Sequence, residues 1–190
     1  RDDDPGALGY VFSSPPAISL GKAGRGSAPS QVLAFLCGRH LAYFKGGMFL
    51  RYLVPTGSGL RAWLLAAIKT QMAQFPIPGD LSSQVDEHMR AIQQHLQGPQ
   101  KEMLRSHVNK LLASAPELDL KRWTAAVDLT ADRVGFLLAN DLEAATAIVR
   151  ASPDEAAAVP QKDRLRELHL YSVSEPYLTL RHKLGIAIGD

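Results

Sequence analysis

The sequence predicts a mainly α-helical chain, α+β overall, with one small β element at its N-terminus. Three observations carry that prediction. After residue 28 apolar side chains recur at steps of three and four, the spacing of one buried helix face. Gly and Pro clusters at Gly46-Gly47, Pro76-Ile77-Pro78-Gly79 and Gly98-Pro99 cut this pattern into helix-length segments. Before residue 28 that period is missing, and the regular runs are short and rich in β-branched and aromatic residues.

Residues 1–27 read as a lead-in. Asp2-Asp3-Asp4-Pro5-Gly6 is polar, while Tyr10-Val11-Phe12 and Ala17-Ile18-Ser19-Leu20 suggest two strands around Ser13-Ser14-Pro15-Pro16. Residues 21–29 form a Gly/Ala/Ser loop, and 28–190 are expected as one helical domain. Ser30 is the expected cap of a helix over 30–44 that stops at Gly46-Gly47. A short helix over 49–53 ends before Pro55, and Ser58 opens another over 58–74. Amphipathic segments follow at 82–97 and 100–114, separated by Gly98-Pro99. Leu120, Trp123, Val127, Ala131, Val134 and Leu138 then mark a helix with one buried face, capped by Asp119. Its expected partners on the first helix are Val32, Leu36, Leu41 and Phe44. Segments 141–150, 161–173 and 174–184 complete the series, with no internal repeat or low-complexity tract.

Composition narrows the function classes. With 190 residues and 46% hydrophobic content, the chain can bury one substantial core. Net charge is +2 with acids and bases interspersed, which argues against a nucleic-acid partner. Lys121-Arg122 and Arg181-His182-Lys183 are expected as solvated helix faces. Cys37 is the sole cysteine, so no intrachain disulfide forms and a cytoplasmic location is expected, with Cys37 a buried core thiol. The apolar runs at 32–37 and 62–68 fall short of the ~20 residues a spanning helix needs. No membrane segment and no signal peptide are therefore read in this chain. It begins at Arg1 rather than Met, so it is expected to be part of a longer protein.

Three stretches carry the functional signal. Residues 32–44 read Val-Leu-Ala-Phe-Leu-Cys-Gly-Arg-His-Leu-Ala-Tyr-Phe. Residues 127–135 read Val-Asp-Leu-Thr-Ala-Asp-Arg-Val-Gly, and 174–181 read Ser-Glu-Pro-Tyr-Leu-Thr-Leu-Arg. In this order they resemble the Gly-His-Glu-x-x-His helix, the later Glu-x-x-Ala-Asp-Arg-x-Gly helix and the Ser-His-Pro-x-x-x-x-Arg tail of the HtpX-type gluzincin metallopeptidases. The resemblance implies a zincin-like helical domain. In a working member two His one turn apart bind Zn²⁺, a Glu handles protons for the attacking water, and the later helix supplies a Glu ligand. On that pattern Arg39, His40 and Tyr43 stand in the His, Glu and His places. Asp128 stands in the place of the third ligand. Ala131, Asp132, Arg133 and Gly135 match as they are, and Glu175 replaces the His of the tail.

The residues themselves do not make a zinc site. A guanidinium has no lone pair to donate, so Arg39 is no ligand. His40 is rotated roughly 100° from the face shared by Arg39 and Tyr43, and four residues after it comes Phe44. His88, His95, His107, His169 and His182 include no pair spaced by three or four. Cys37 and His40 form a C-x-x-H pair without a second pair to complete it. Gly57-Ser58-Gly59 lacks the wider nucleophile-elbow pattern, and residues 21–27 lack the order of a phosphate loop. No catalytic residue, metal or cofactor is therefore expected. Arg39, His40, Tyr43, Asp128 and Asp132 are the expected vestigial site, with Arg39 forking onto Asp128 in place of the ion and Tyr43 adding a hydroxyl donor. The resulting expectation is an inactive metallopeptidase-like domain, serving a larger protein as a structural or interaction module with a protein or peptide partner. The alternatives are a hydrolase with atypical ligands from Cys37, His40 and Asp128, and an unrelated helical scaffold. The residues specify no oligomeric state.

Overall fold

A computed structural model describes residues 8–11, 13, 15, 17–22, 26, 28–114, 119–152 and 158–187. The N-terminal residues pair as expected: β1 (Leu8–Val11) runs antiparallel to β2 (Ala17–Leu20), with Leu8 opposite Leu20 and Val11 opposite Ala17. Phe12, Ser14 and Pro16, which the sequence assigns to this hairpin, lie outside the described residues, as does part of the loop at 21–29.

Most of the other described residues are helical. The helices are α1 (Ser30–Tyr43), α2 (Phe49–Leu53), α3 (Gly57–Gln71), α4 (Ser82–His95), α5 (Gly98–Ser114), α6 (Leu120–Ala139), α7 (Leu142–Ala151), α8 (Gln161–Ser172) and α9 (Glu175–Lys183). A 3₁₀ turn at Gly79–Leu81 leads into α4. Side-chain caps set several starts by satisfying orphan amides. Asp119 accepts from the Arg122 amide at 2.9 Å, Asp141 from Ala144 at 2.9 Å, and Ser174 from Tyr177 at 3.4 Å.

Three sequence expectations about helix starts need correction. Ser30 is the first residue of α1 rather than its cap, and its hydroxyl bonds Gln31 instead. Thr56, not Ser58, caps α3, accepting from the Gly59 amide at 3.1 Å. Gly98 and Pro99 open α5 rather than preceding it. Proline is tolerated in a first turn, where its missing N–H would have no partner anyway.

The chain divides into two compact units. One comprises Arg1–Tyr52 with Thr124–Asp190, and the other is Leu53–Trp123. In the second, Ala62 and Ala66 of α3 pack on Leu81 and Val85, with Leu65, Ile77, Met89 and Ile92 around them. Trp63 stacks on His88 with ring centroids 4.1 Å apart, and Lys69 pairs with Asp86 at 2.8 Å. In the first unit the core is Phe35 of α1, Phe136, Leu137 and Ala139 of α6, Ala145 and Val149 of α7, Leu168 of α8 and Tyr177 of α9.

Helices α1 and α6 pack against each other as expected, but through different residues. A Cβ built on Gly38 would lie 2.7 Å from both the Gly135 Cα and the Val134 carbonyl oxygen, so the two backbones touch. That approach turns Phe35, Gly38 and Ala42 inward and leaves Leu41 49% exposed. On α6 the buried face runs through Val127, Asp128, Ala131, Asp132 and Gly135, while Leu138, expected in the core, is 40% exposed. Two glycines fix the rotation of both helices, so small and charged residues take the inner phase.

Two further expectations change. Arg181 is buried, not solvated: it donates to the Leu137 carbonyl at 3.1 Å and to the Ile186 carbonyl, and lies over the Tyr177 ring. It thereby holds α9 to the carbonyl-rich C-terminal end of α6. Cys37 is a free thiol on the flank of α1, only partly buried. Among the described residues no helix is long and apolar enough to cross a membrane.

Candidate functional site

The crossing of α1 over α6 brings Arg39, Tyr43, Asp128 and Asp132 into one neighbourhood. Asp128 and Asp132 are four residues apart, so they share one face of α6 about 6 Å apart along its axis. Both are buried, at 5% and 1% exposure. A buried carboxylate needs a counter-charge or full hydrogen bonding. No Asp or Glu occurs from residue 5 to 79, so the charges of the first unit are less evenly mixed than the net +2 suggests. The N-terminal helices contribute cations here and α6 contributes the anions.

Arg39 does not fork onto Asp128. Its Nε lies 2.9 Å from Asp132 Oδ1, without the angle of a directed hydrogen bond. The register of the crossing explains this correction. Gly38 sits against Gly135, and the Arg39 Cγ lies 2.9 Å from where a Gly135 Cβ would be. Asp132, three residues before Gly135, is thus the carboxylate within reach, and Asp128 is a turn further away. Asp128 is instead held by Arg51 of α2, whose Nε and Nη2 donate to its two oxygens at 3.1 and 3.0 Å. The Ala158 amide also donates to Asp128, at 3.1 Å. Asp132 is forked by Arg164 of α8, whose Nε and Nη2 donate at 2.8 and 3.0 Å. Burial alone would depress the Arg164 pKa. Its hydrogen bonds to Asp132 and the charges of Asp132 and Asp128 outweigh that, so the guanidinium is held above its usual range.

Tyr43 lies within the field of Arg39, Arg51, Asp128 and Asp132, but its hydroxyl bonds neither carboxylate among the described residues. Burial, the largest influence, raises its pKa, and the phenol stays protonated at neutral pH. His40 is not part of the cluster. Its ring stacks on Tyr10 of β1 with centroids 4.8 Å apart, and Nδ1 donates to the Leu36 carbonyl at 2.9 Å. That carbonyl can only accept, so Nδ1 carries the proton. The Tyr10 hydroxyl in turn donates to the His40 carbonyl at 3.2 Å, which ties the hairpin to α1.

Burial holds the His40 imidazole below the usual histidine range. A depressed pKa in the folded state gives stability that is complete above the unfolded value of about 6.5 and lost as pH falls through the folded value. The urea midpoint should therefore fall as pH drops below about 6.5. His40→Phe, which keeps a ring against Tyr10, should flatten that part of the profile. An unchanged slope in the variant would remove His40 from the acid response.

Zinc fits poorly between these helices. Both carboxylates are already engaged by guanidiniums, and the residues facing them across the crossing are Arg39 and Tyr43. Among the described residues no group of three His, Cys, Asp or Glu side chains could hold a metal ion. Cys37, His40 and Asp128 do not meet as a ligand set. Compared with protein-family models, curated proteins and solved structures, the chain has no match.

Proposed function

We propose that this chain is a catalytically inactive metallopeptidase-like domain in which an arginine–aspartate network stands in for the zinc ion. It would serve a larger cytoplasmic protein as a structural or protein-interaction module, with a protein or peptide partner and without nucleic acid. One observation carries the reading. The helix that resembles the Gly-His-Glu-x-x-His segment packs on the helix that resembles the third-ligand segment, with Arg39, Tyr43, Asp128 and Asp132 at their meeting. The tail segment joins them, because Ser174 caps α9 and Arg181 reaches the end of α6. Cations at that meeting perform the joining role a metal would have, linking α1, α2 and α8 to α6 through two carboxylates. Arginine suits this task, since its planar fork matches a carboxylate and its charge is permanent.

Elemental analysis of protein purified without chelator tests the proposal. The expected result is far less than one zinc per chain and no cleavage of a casein substrate when zinc is added. About one zinc per chain, lost on His40→Ala, would overturn it in favour of a hydrolase with atypical ligands.

A further inference from the structure

The N-terminal hairpin meets the helices of the first unit through Tyr10. The Tyr10 ring sits in a socket of aromatic rings at the end of α1 and along α2, with centroids 3.9 Å from Tyr52, 4.8 Å from His40, 5.1 Å from Phe44 and 5.3 Å from Phe49. The floor of this socket calls for a hydroxyl. In a continued helix the Phe44 amide would bond the His40 carbonyl, but it bonds Leu41 instead, and the Tyr10 hydroxyl donates to the His40 carbonyl at 3.2 Å. Burial raises the Tyr10 pKa, so the phenol keeps the proton it donates. None of the described residues of β1 or β2 is buried, and the core around Phe35 and Phe136 includes none of them. Two strands alone are marginally stable in water, so the hairpin depends on its seat while the core does not depend on the hairpin. The rim of the socket faces solvent even with Tyr10 in place, since Tyr52 is 42% and Leu50 44% exposed.

We propose that this socket is a recognition site for a tyrosine on an extended segment of a partner protein, with the hairpin as a built-in occupant that the partner displaces. The seated strand shows the chemistry the socket accepts: an aromatic ring among His40, Phe44, Phe49 and Tyr52, and a hydroxyl aimed at the His40 carbonyl. Aromatic packing supplies the affinity, and the hydroxyl separates tyrosine from phenylalanine. The competition between hairpin and partner makes the site self-limiting, because apparent affinity falls by the fraction of molecules whose socket is open. The inference uses only the socket and its occupant, so the zinc analysis above does not decide it.

The test is fluorescence anisotropy with the whole chain and a labelled, capped peptide of residues 8–20. Versions of that peptide carrying Tyr10→Phe and Tyr10→Ala serve as competitors. The Tyr10→Ser chain, whose socket is empty, should bind the peptide saturably and one to one. The wild type should bind it about tenfold more weakly or less, as when about one socket in ten stands open. The Phe version should compete about fivefold less well, the worth of one neutral hydrogen bond, and the Ala version should not compete. Adding Tyr52→Ser to the Tyr10→Ser chain should abolish binding. No saturable binding to the Tyr10→Ser chain, equal competition by the Ala version, or equal affinity for the wild type would refute the proposal. Dimerisation of the wild type that Tyr10→Ser abolishes would overturn it in favour of a second copy as the occupant. If the Tyr10→Ser chain does not fold, hydrogen exchange of the wild type decides. Amides of 8–11 and 17–20 should exchange through an opening that leaves α6 protected, and exchange only together with α6 refutes a displaceable hairpin.

Discussion

Asp132→Asn is expected to destabilise the fold by about 3–5 kcal/mol, the cost of breaking a buried ion pair from one side. The substitution keeps the shape of the side chain and removes its charge. Arg164 is only 3% accessible and donates two hydrogen bonds to Asp132, so its guanidinium would be left charged in a dry site. Arg39 would lose its ion-pair partner among the described residues as well. Removing both partners is a different experiment. Asp132→Asn with Arg164→Met should recover a large part of the loss, because neither charge is then buried and a flexible apolar chain fills the space. Urea unfolding of the two single variants and the double variant gives the coupling directly. The surface pair Arg133–Glu167, with accessibilities of 44% and 35%, is the comparison, and its coupling should stay below about 1 kcal/mol. A loss below about 1 kcal/mol for Asp132→Asn would mean that water reaches Asp132 and that the network holds nothing together.

The helices were legible because hydrophobic period and Gly/Pro punctuation are local properties. Asp119, Asp141 and Ser174 cap helices where such residues stand just before an apolar-periodic run. What periodicity could not give was the rotation of α1 and α6. It ranks residues by apolarity, and here the inner phase is held by Gly38, Gly135 and two aspartates. The acidic half of the cluster is legible in the 127–135 stretch, and both Asp128 and Asp132 are buried. The cationic half was not, because ion-pair partners meet only in three dimensions. Arg51 lies 77 residues from Asp128 in sequence, and Arg164 lies 32 from Asp132. Faint signals for both exist. Arg51 is the single charge in the apolar run Phe49-Leu50-Arg51-Tyr52-Leu53. Arg164 shares a helix phase with Leu168 and Tyr171, which places it on the inner face of α8. The expected Arg39–Asp128 pair failed by one helical turn, an error in the register of the crossing rather than in the chemistry.

Alanine at Gly38 should therefore be among the most damaging single changes in the chain, although it adds one methyl group. Neither Gly38 nor Gly135 has a positive φ, so alanine is allowed at both and would favour each helix by about 1 kcal/mol on propensity alone. Any loss must come from the crossing. A Gly38 Cβ meets two backbone atoms, the Gly135 Cα and the Val134 oxygen, both at 2.7 Å. Backbone has no rotamer to change, so the helices have to separate. At Gly135 the new Cβ meets the Phe35 carbonyl oxygen at 2.7 Å and the Arg39 Cγ at 2.9 Å. Overpacking of this kind typically costs about 1–3 kcal/mol, and the upper end is expected where both sides are main chain. Gly57→Ala, at a helical position with nothing within 4 Å, is the control and should be close to neutral. The substitution at Gly38 also reaches the site. Arg39 and Asp132 are adjacent to the crossing, so moving the helices apart lengthens their 2.9 Å ion pair. An Arg39–Asp132 double-mutant cycle should accordingly give a smaller coupling in the Gly38→Ala background than in the wild type. Full stability in that variant, with the coupling unchanged, would mean that the helices do not cross at these glycines.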